Sequence, residues 1–544
     1  MAAPDLIIRL PRRGLCLALV LIVLLAGCVP GSGGDGTDSQ SPSPSEPAFV
    51  LPSPAQTYPA VEPPDRPDVD VPDVAPPGFV DPPRGSGYAR YLDQELRWTE
   101  CGSSRCTTFR VPLDWLDPDG QAITIAMRMN PATAPERQGV LFINPGGPGA
   151  SAQDYVADFQ STGLEGFDII GLDSRGSGES TPVVCGTAAQ TDAYLAVDAT
   201  PDDDAERSAL LAAQREFNDQ CRANSGPLLD HISSIEAIHD YDLARHLLGE
   251  SLLNFYGVSY GTFLGAVYAE LYPQNVGRMV LDSAVNPTPS TDVIQAQGFD
   301  TSMRGFASWC AQNLAQCRLG DTEQAVIDKV TGFINGLDQA PLPTTDPNRA
   351  LTQSLAVSGL VLHFYFGAEL YAYLAQQLQH AITSGDGSYL LAAADLLNDR
   401  SPDGGYGDLA YAFPAIRCVD ETDDGVQEAF EVWLGRDSEM APIFGPLFGP
   451  DLVCALWTAK PATQIDFTGA GAPPLLVIQN TGDSATPFRN AEIMAAELES
   501  AVLVVRDAPG HGAFASGSVC MDTIVTQYFN TGAVPPDQTW CTDG

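Results

Sequence analysis

The segment Gly257-Val258-Ser259-Tyr260-Gly261 matches the pattern G-x-S-x-G. A serine attacks a carbonyl well when a sharp strand-to-helix turn lifts its hydroxyl above a sheet, and small flanking residues are needed because side chains would collide at that crossing. An apolar run, Leu252 to Val258, leads into the motif, and a stretch of small and apolar residues, Thr262 to Leu271, leads out of it. Ser259 is therefore the candidate nucleophile. At neutral pH its hydroxyl needs a base. Of the 6 histidines, His231 lies just before the helical stretch that holds His239 and His246, while His363 and His380 sit within other helical stretches. His511 differs: Pro509-Gly510-His511-Gly512 is a loop after the last predicted strand, free to project over a sheet edge. The imidazolium formed during attack must be held in one tautomer by an acid. Asp483, in Gly482-Asp483-Ser484-Ala485-Thr486-Pro487, gives the chain order Ser, Asp, His; its rival is Asp282, at the end of the strand after the nucleophile. Charge that develops on the carbonyl oxygen calls for two backbone donors. The Tyr260 amide is one, and the second comes from Pro145-Gly146-Gly147-Pro148-Gly149, with Gly147 ahead of Gly146.

These groups need a rigid frame. Short apolar runs at Gly139–Asn144, Phe167–Leu172, Leu252–Val258, Arg278–Asp282, Pro474–Gln479 and Ala501–Arg506 read as buried strands. Helical stretches such as Ser234–Leu248 alternate with them, which predicts an α/β fold with a mostly parallel sheet covered by helices on both faces. Between Asn286 and about Gln464 the periodicity is mostly helical, for example at Asp292–Leu314, Leu351–Ile382 and Gln427–Leu434. That block reads as an inserted cap, so the expected organisation is a hydrolytic core over 88–285 and 465–544 with a helical insertion over 286–464.

The first residues do other work. Arg9, Arg12 and Arg13 precede an apolar run, Leu15 to Leu25, and then Leu25-Ala26-Gly27-Cys28. The run is short for a membrane-spanning helix, and small residues before a cysteine resemble a bacterial lipobox, so residues 1–27 are expected to be a signal peptide cleaved before a lipidated Cys28. Residues 28–87 are crowded with Pro, Ser, Gly and Asp and cannot bury a core, which suits a tether between lipid and a domain that starts near Tyr88. The expected location is extracytoplasmic, on the outer face of the cell membrane or shed from it. A formal net charge of −42 disfavours a phosphate backbone as partner, so nucleic acid is not expected. In an exported chain the ten cysteines beyond Cys28 read as disulfides, and no C-x-x-C pair or H-E-x-x-H helix competes. Loop closure favours Cys101 with Cys106, Cys185 with Cys221, Cys310 with Cys317, Cys418 with Cys454, and Cys520 with Cys541. No metal and no cofactor are expected.

Taken together, N-P-G-G-P-G-A-S, G-L-D-S-R-G-S-G-E-S, G-V-S-Y-G-T-F-L-G, G-D-S-A-T-P and P-G-H-G-A-F resemble the tripeptidyl aminopeptidase branch of the prolyl-aminopeptidase family of α/β hydrolases, from about Tyr88 to the C-terminus. The resemblance implies a serine exopeptidase that releases short peptides, commonly tripeptides, from free N-termini, with Ser259, Asp483 and His511 as its triad. Members of this branch also include carboxylesterases, so an esterase or lipase with the same triad is the alternative; a binding lipoprotein that merely keeps the fold is disfavoured by the intact triad. Pro145 stands where the prolyl enzymes carry a histidine, so proline-specific cleavage is not implied. An enzyme that counts residues from a free N-terminus needs a carboxylate for the amine at the far wall of its cleft. Arg417-Cys418-Val419-Asp420-Glu421 is the expected place, because a bridge through Cys418 would stiffen it, and Asp420 or Glu421 is the candidate anchor.

Overall fold

The computed structural model describes residues 71–72, 77–288, 293–421, 423, 425–459 and 461–543. The signal peptide, Cys28 and most of the Pro-rich segment lie outside the described residues. Among those described, eleven strands form one sheet. They are β1 (Phe79–Val80), β2 (Thr99–Cys101), β3 (Ser104–Pro112), β4 (Ala122–Asn130), β5 (Gly139–Asn144), β6 (Phe167–Leu172), β7 (Leu253–Val258), β8 (Val276–Asp282), β9 (Leu475–Gly482), β10 (Ala501–Pro509) and β11 (Thr539–Cys541). The spatial order is β11-β10-β9-β8-β7-β5-β6-β4-β3-β2, with β1 paired to β4. Neighbours from β11 to β6 run parallel, and β1 to β4 join antiparallel. From β5 the chain adds β6 on one side, then returns to add β7 and every later strand on the other. Such a reversal opens a crevice above the carboxyl ends of the two strands that flank it. The Gly146-Gly147 loop leaves β5 there, and Ser259 leaves β7.

Alternation along the strands explains why both faces are covered. Val140 and Phe142 of β5 enter one core with Phe255, Met279, Leu281 and Val477, while Leu141 and Ile143 enter another with Tyr256, Val258, Val280 and Ile478. Helices Ser234–Leu247 and Tyr260–Leu271 pack on the first face, and Ala152–Asp158 and Val519–Thr531 on the second. A third core belongs to the helical region: Phe299, Phe306, Leu360, Phe364 and Leu374 join helices Gln295–Gln312, Glu323–Gln339, Gln353–Tyr365, Tyr371–Ser384 and Ser388–Leu397. Helix Leu409–Asp420 behaves differently, because its Ala412, Ala415, Ile416, Cys418 and Val419 are buried in the core of the sheet's first face.

Three features depart from the sequence expectations. The folded chain starts before Tyr88, since Phe79 and Val80 pair with Ile123 and Ala122; a two-residue strand flanked by prolines has no periodicity to reveal it. The antiparallel strands β2 to β4 were likewise not anticipated; Arg, Thr and Asn interrupt their apolar residues. The single helical stretch expected over Leu351–Ile382 is two helices, Gln353–Tyr365 and Tyr371–Ser384. Gly367, at φ +61°, breaks it. The ten cysteines pair as Cys101–Cys106, Cys185–Cys221, Cys310–Cys317, Cys418–Cys454 and Cys520–Cys541, the pattern that closeness in the chain favours. Among the described residues no helix is long and apolar enough to cross a membrane.

Candidate active site

A sharp turn lies at Ser259, beside the crevice. It follows β7 directly, precedes helix Tyr260–Leu271, and has φ 58° and ψ −124°, a conformation that non-glycine residues avoid unless the surroundings enforce it. Two main-chain bonds do so: the Ser259 N–H donates to the Asp282 carbonyl at 2.9 Å, and the Thr262 N–H donates to the Ser259 carbonyl at 2.8 Å. The glycine loop after β5 presses against this turn. A Cβ on Gly146 would lie 2.5 Å from the Val258 carbonyl oxygen and 2.9 Å from the Ser259 Cβ, so a side chain is excluded there.

His511 and Asp483 meet as expected. The Nδ1 of His511 lies 2.9 and 3.0 Å from the two carboxylate oxygens of Asp483. Asp483 is buried, and the N–H groups of Ala485 (3.0 Å) and Thr486 (2.9 Å) fix one of its oxygens while Gln479 Nε2 donates to the other at 3.1 Å. Burial by itself lowers the His511 pKa. The charge and hydrogen bond of Asp483, with a further contribution from the charge of Asp282, outweigh it and hold the imidazole above its ordinary value. A base in that state is pre-set to receive a proton.

Asp282, the rival acid, has another occupation. Its carboxylate accepts the N–H groups of Ala513 (2.8 Å) and Phe514 (3.0 Å) and the Tyr256 hydroxyl (2.8 Å). Burial raises its pKa, against these donors. The next residue, Ser283, accepts the Gly512 N–H at 2.8 Å. The end of β8 thus holds the nucleophile's turn through a carbonyl and the histidine's loop through a carboxylate and a hydroxyl. Nothing in the run Leu281-Asp282-Ser283 announces this clasp, because Asp282 and Ser283 act on residues more than two hundred positions away; Tyr365, whose carbonyl accepts the His511 N–H at 3.0 Å, is hidden for the same reason, and Gln479, although close to Asp483 in the chain, is one polar residue at the end of an apolar strand.

Of the two candidate glycine donors, Gly146 commits its N–H to Asn144 Oδ1 at 2.9 Å. Tyr260 opens its helix, so its N–H has no acceptor within that helix. Leu409 and Ala412 of helix Leu409–Asp420 lie over Gly147 and Gly149, and the far end of that helix brings Asp420 to the Tyr260 side chain. Asp420 accepts the Ser234 N–H at 2.7 Å, the Ser234 hydroxyl at 2.6 Å and the Tyr260 hydroxyl at 3.4 Å. Burial pushes its pKa up to about 7, with the Ser234 donors opposing. Glu421 is not brought to this cluster; its side chain is 57% exposed and faces Arg417 at 4.0 Å.

Known proteins resemble this chain over most of its length. A family model described as "TAP-like protein" matches residues 441–541, the segment that holds Asp483 and His511. "Serine protease Hip1" of Mycobacterium tuberculosis is 32% identical over 484 residues, covering 83% of this chain and 91% of that one. "Tripeptidyl aminopeptidase" of Streptomyces coelicolor is 29% identical, covering 83% and 87%. "Carboxylesterase B" of M. tuberculosis is 34% identical over 459 residues, covering 81% and 87%. The chain belongs to the tripeptidyl-aminopeptidase-like family of α/β-hydrolase-fold serine hydrolases.

Proposed function

We propose that this serine hydrolase is an exopeptidase that releases short peptides, tripeptides above all, from free N-termini through an acyl-enzyme on Ser259. The observation that carries the acyl-enzyme mechanism is the joint suspension of the Ser259 turn and the His511 loop from the end of β8, with Asp483 on Nδ1 of the imidazole. Ser259 Oγ attacks the scissile carbonyl as His511 takes its proton. The tetrahedral oxyanion is held by the N–H groups of Tyr260 and Gly147, since that of Gly146 is engaged. His511 then gives the proton to the leaving amine, and water, activated by the same base, releases the acyl peptide. No metal or cofactor takes part in these steps. The relatives named tripeptidyl aminopeptidase and serine protease support peptide substrates.

Selection for a free N-terminus falls to Asp420. It stands beside the side chain of an oxyanion residue, on a helix that passes over the glycine loop and is tied at Cys418 to Cys454. The test is a rate panel of tripeptide anilides with free and blocked N-termini beside a short-chain ester. Free anilides should lead blocked ones by tenfold or more, and Asp420→Asn should raise KM for the free anilide while scarcely affecting the other two. Full activity on blocked peptides would sink the exopeptidase reading, and an ester rate far above both anilides would favour the esterase reading suggested by the carboxylesterase relative. The chain works outside the cytoplasm, on the outer face of the membrane, held by lipid on Cys28. Cys28→Ser should release it to the soluble fraction, and its retention in membranes would refute that anchor.

A further inference from the structure

We infer that Tyr365, in the helical insertion, is a positioning residue for the catalytic base, so that the insertion is part of the acid–base machinery as well as its cover. The inference rests on the reading of His511 as the base. The loop that carries His511 has little stiffness of its own, with glycines at 510 and 512 in positive φ (102° and 91°). Its order comes from outside, through five consecutive N–H groups that each have an acceptor. Gly510 donates to the Gly482 carbonyl (3.2 Å) and His511 to the Tyr365 carbonyl (3.0 Å). Gly512 donates to Ser283 Oγ (2.8 Å), and Ala513 and Phe514 to the Asp282 carboxylate (2.8 and 3.0 Å). Four of these acceptors belong to β8, β9 and the residue after β8. The one that takes the N–H of the histidine itself belongs to the insertion.

The side chain of Tyr365 adds a second constraint. Its ring meets the imidazole of His511 edge to face, with centroids 5.3 Å apart and planes at 85°. Asp483 fixes Nδ1, but a ring held at one nitrogen can still tilt. The Tyr365 ring packed against the imidazole limits that tilt, and so the direction in which Nε2 points. The same helix end grips the neighbouring acid loop, where Ser484 Oγ donates to the Phe364 carbonyl at 2.9 Å. Gly367, where the helix breaks, lets the chain turn away from the base loop: a Cβ there would lie 3.1 Å from the Gly510 nitrogen and 3.2 Å from its Cα. The insertion therefore touches the histidine at its backbone, at its ring and at the residue before it.

The experiment uses the full-length protein with ¹⁵N-labelled histidine. Tyr365→Ala should lower kcat on a short-chain ester tenfold or more with KM within twofold, because so small a substrate makes little use of the insertion for binding. It should also broaden or abolish the far-downfield proton signal of His511 Nδ1. Tyr365→Phe, which keeps the ring, should restore both. Gly367→Ala, which presses on Gly510 from the insertion side, should reproduce the loss with the tyrosine intact, and serves if Tyr365→Ala fails to fold. Retention of kcat within twofold and of the proton signal in Tyr365→Ala, or in Gly367→Ala where the first variant does not fold, would overturn the inference. His511→Ala separates the two readings: appreciable turnover in that variant would remove His511 as the base, whereas loss there with full activity in Tyr365→Ala would refute the positioning role alone.

Discussion

The Ser259 turn and the His511 loop sit over the same sheet, yet they are built in opposite ways. Ser259 is shaped by its neighbours in the chain: β7 before it, a helix after it, and glycines at 257 and 261 that leave room for the crossing. Its one distant backbone bond is to the Asp282 carbonyl. The His511 loop has flexible neighbours and takes its shape from Gly482, Tyr365, Ser283 and Asp282, with Asn480 Nδ2 also donating to the Gly510 and Gly512 carbonyls at 3.0 and 2.9 Å. A nucleophile can thus be specified by a pentapeptide, whereas a base that must reach across from another strand is specified by whatever packs around it.

The comparison can be broken most severely at the nucleophile. Ser259→Ala should remove turnover on the order of 10⁶-fold while circular dichroism and melting stay as in the parent, because the turn is held by main-chain bonds. Residual rates within tenfold of the parent would exclude Ser259 from the mechanism. Asp483→Asn comes next, with a loss of about 10³–10⁴-fold through mis-set histidine tautomers. Asp282→Asn should cost less, since it loosens the loop without touching Nδ1; the opposite ranking would make Asp282 the acid.

The pH profile sharpens the same contrast. His511 must be neutral to accept a proton, so kcat/KM should fall on acidification through a pKa above the ordinary imidazole value of about 6.5. In Asp483→Asn the main upward influence is gone and burial is left to pull the pKa down, so the acid limb of the residual activity should move to lower pH. Asp282→Asn should move it the same way by less. An acid limb that stays in place in both variants would mean that another group controls it. The smallest effect is expected from Gly146→Ala, where φ is +93° and the new Cβ would crowd Val258 and Ser259. A strain of about 1–3 kcal/mol, if felt in the transition state, should lower kcat by roughly 5–150-fold without altering the pH profile, since the damage lies on the nucleophile's side alone. A shifted profile in that variant would show that the two loops are not independent.

Much of this was readable in the chain itself. The strand that feeds Ser259, the order Ser259, Asp483, His511 and the glycine loop after Asn144 are short patterns whose meaning depends on residues a few positions away. The parallel core was readable for the same reason, because β5 to β10 each carry a short, mostly apolar run. The rest required the fold. Whether Asp282 or Asp483 meets the histidine is decided by which of two strand ends faces Nδ1, and the sequence offers an acid at both. The contrast between Asp420, turned to Tyr260, and Glu421, turned to Arg417 and solvent, depends on how one helix lies over another. Tyr365 is one aromatic among many in a long apolar stretch, and only the break at Gly367 and the packing of the insertion bring it to His511. Local patterns record what the backbone needs within a few residues; contacts between segments more than a hundred positions apart leave no such trace, because the requirement on each side is met by many residue types until the chain has folded.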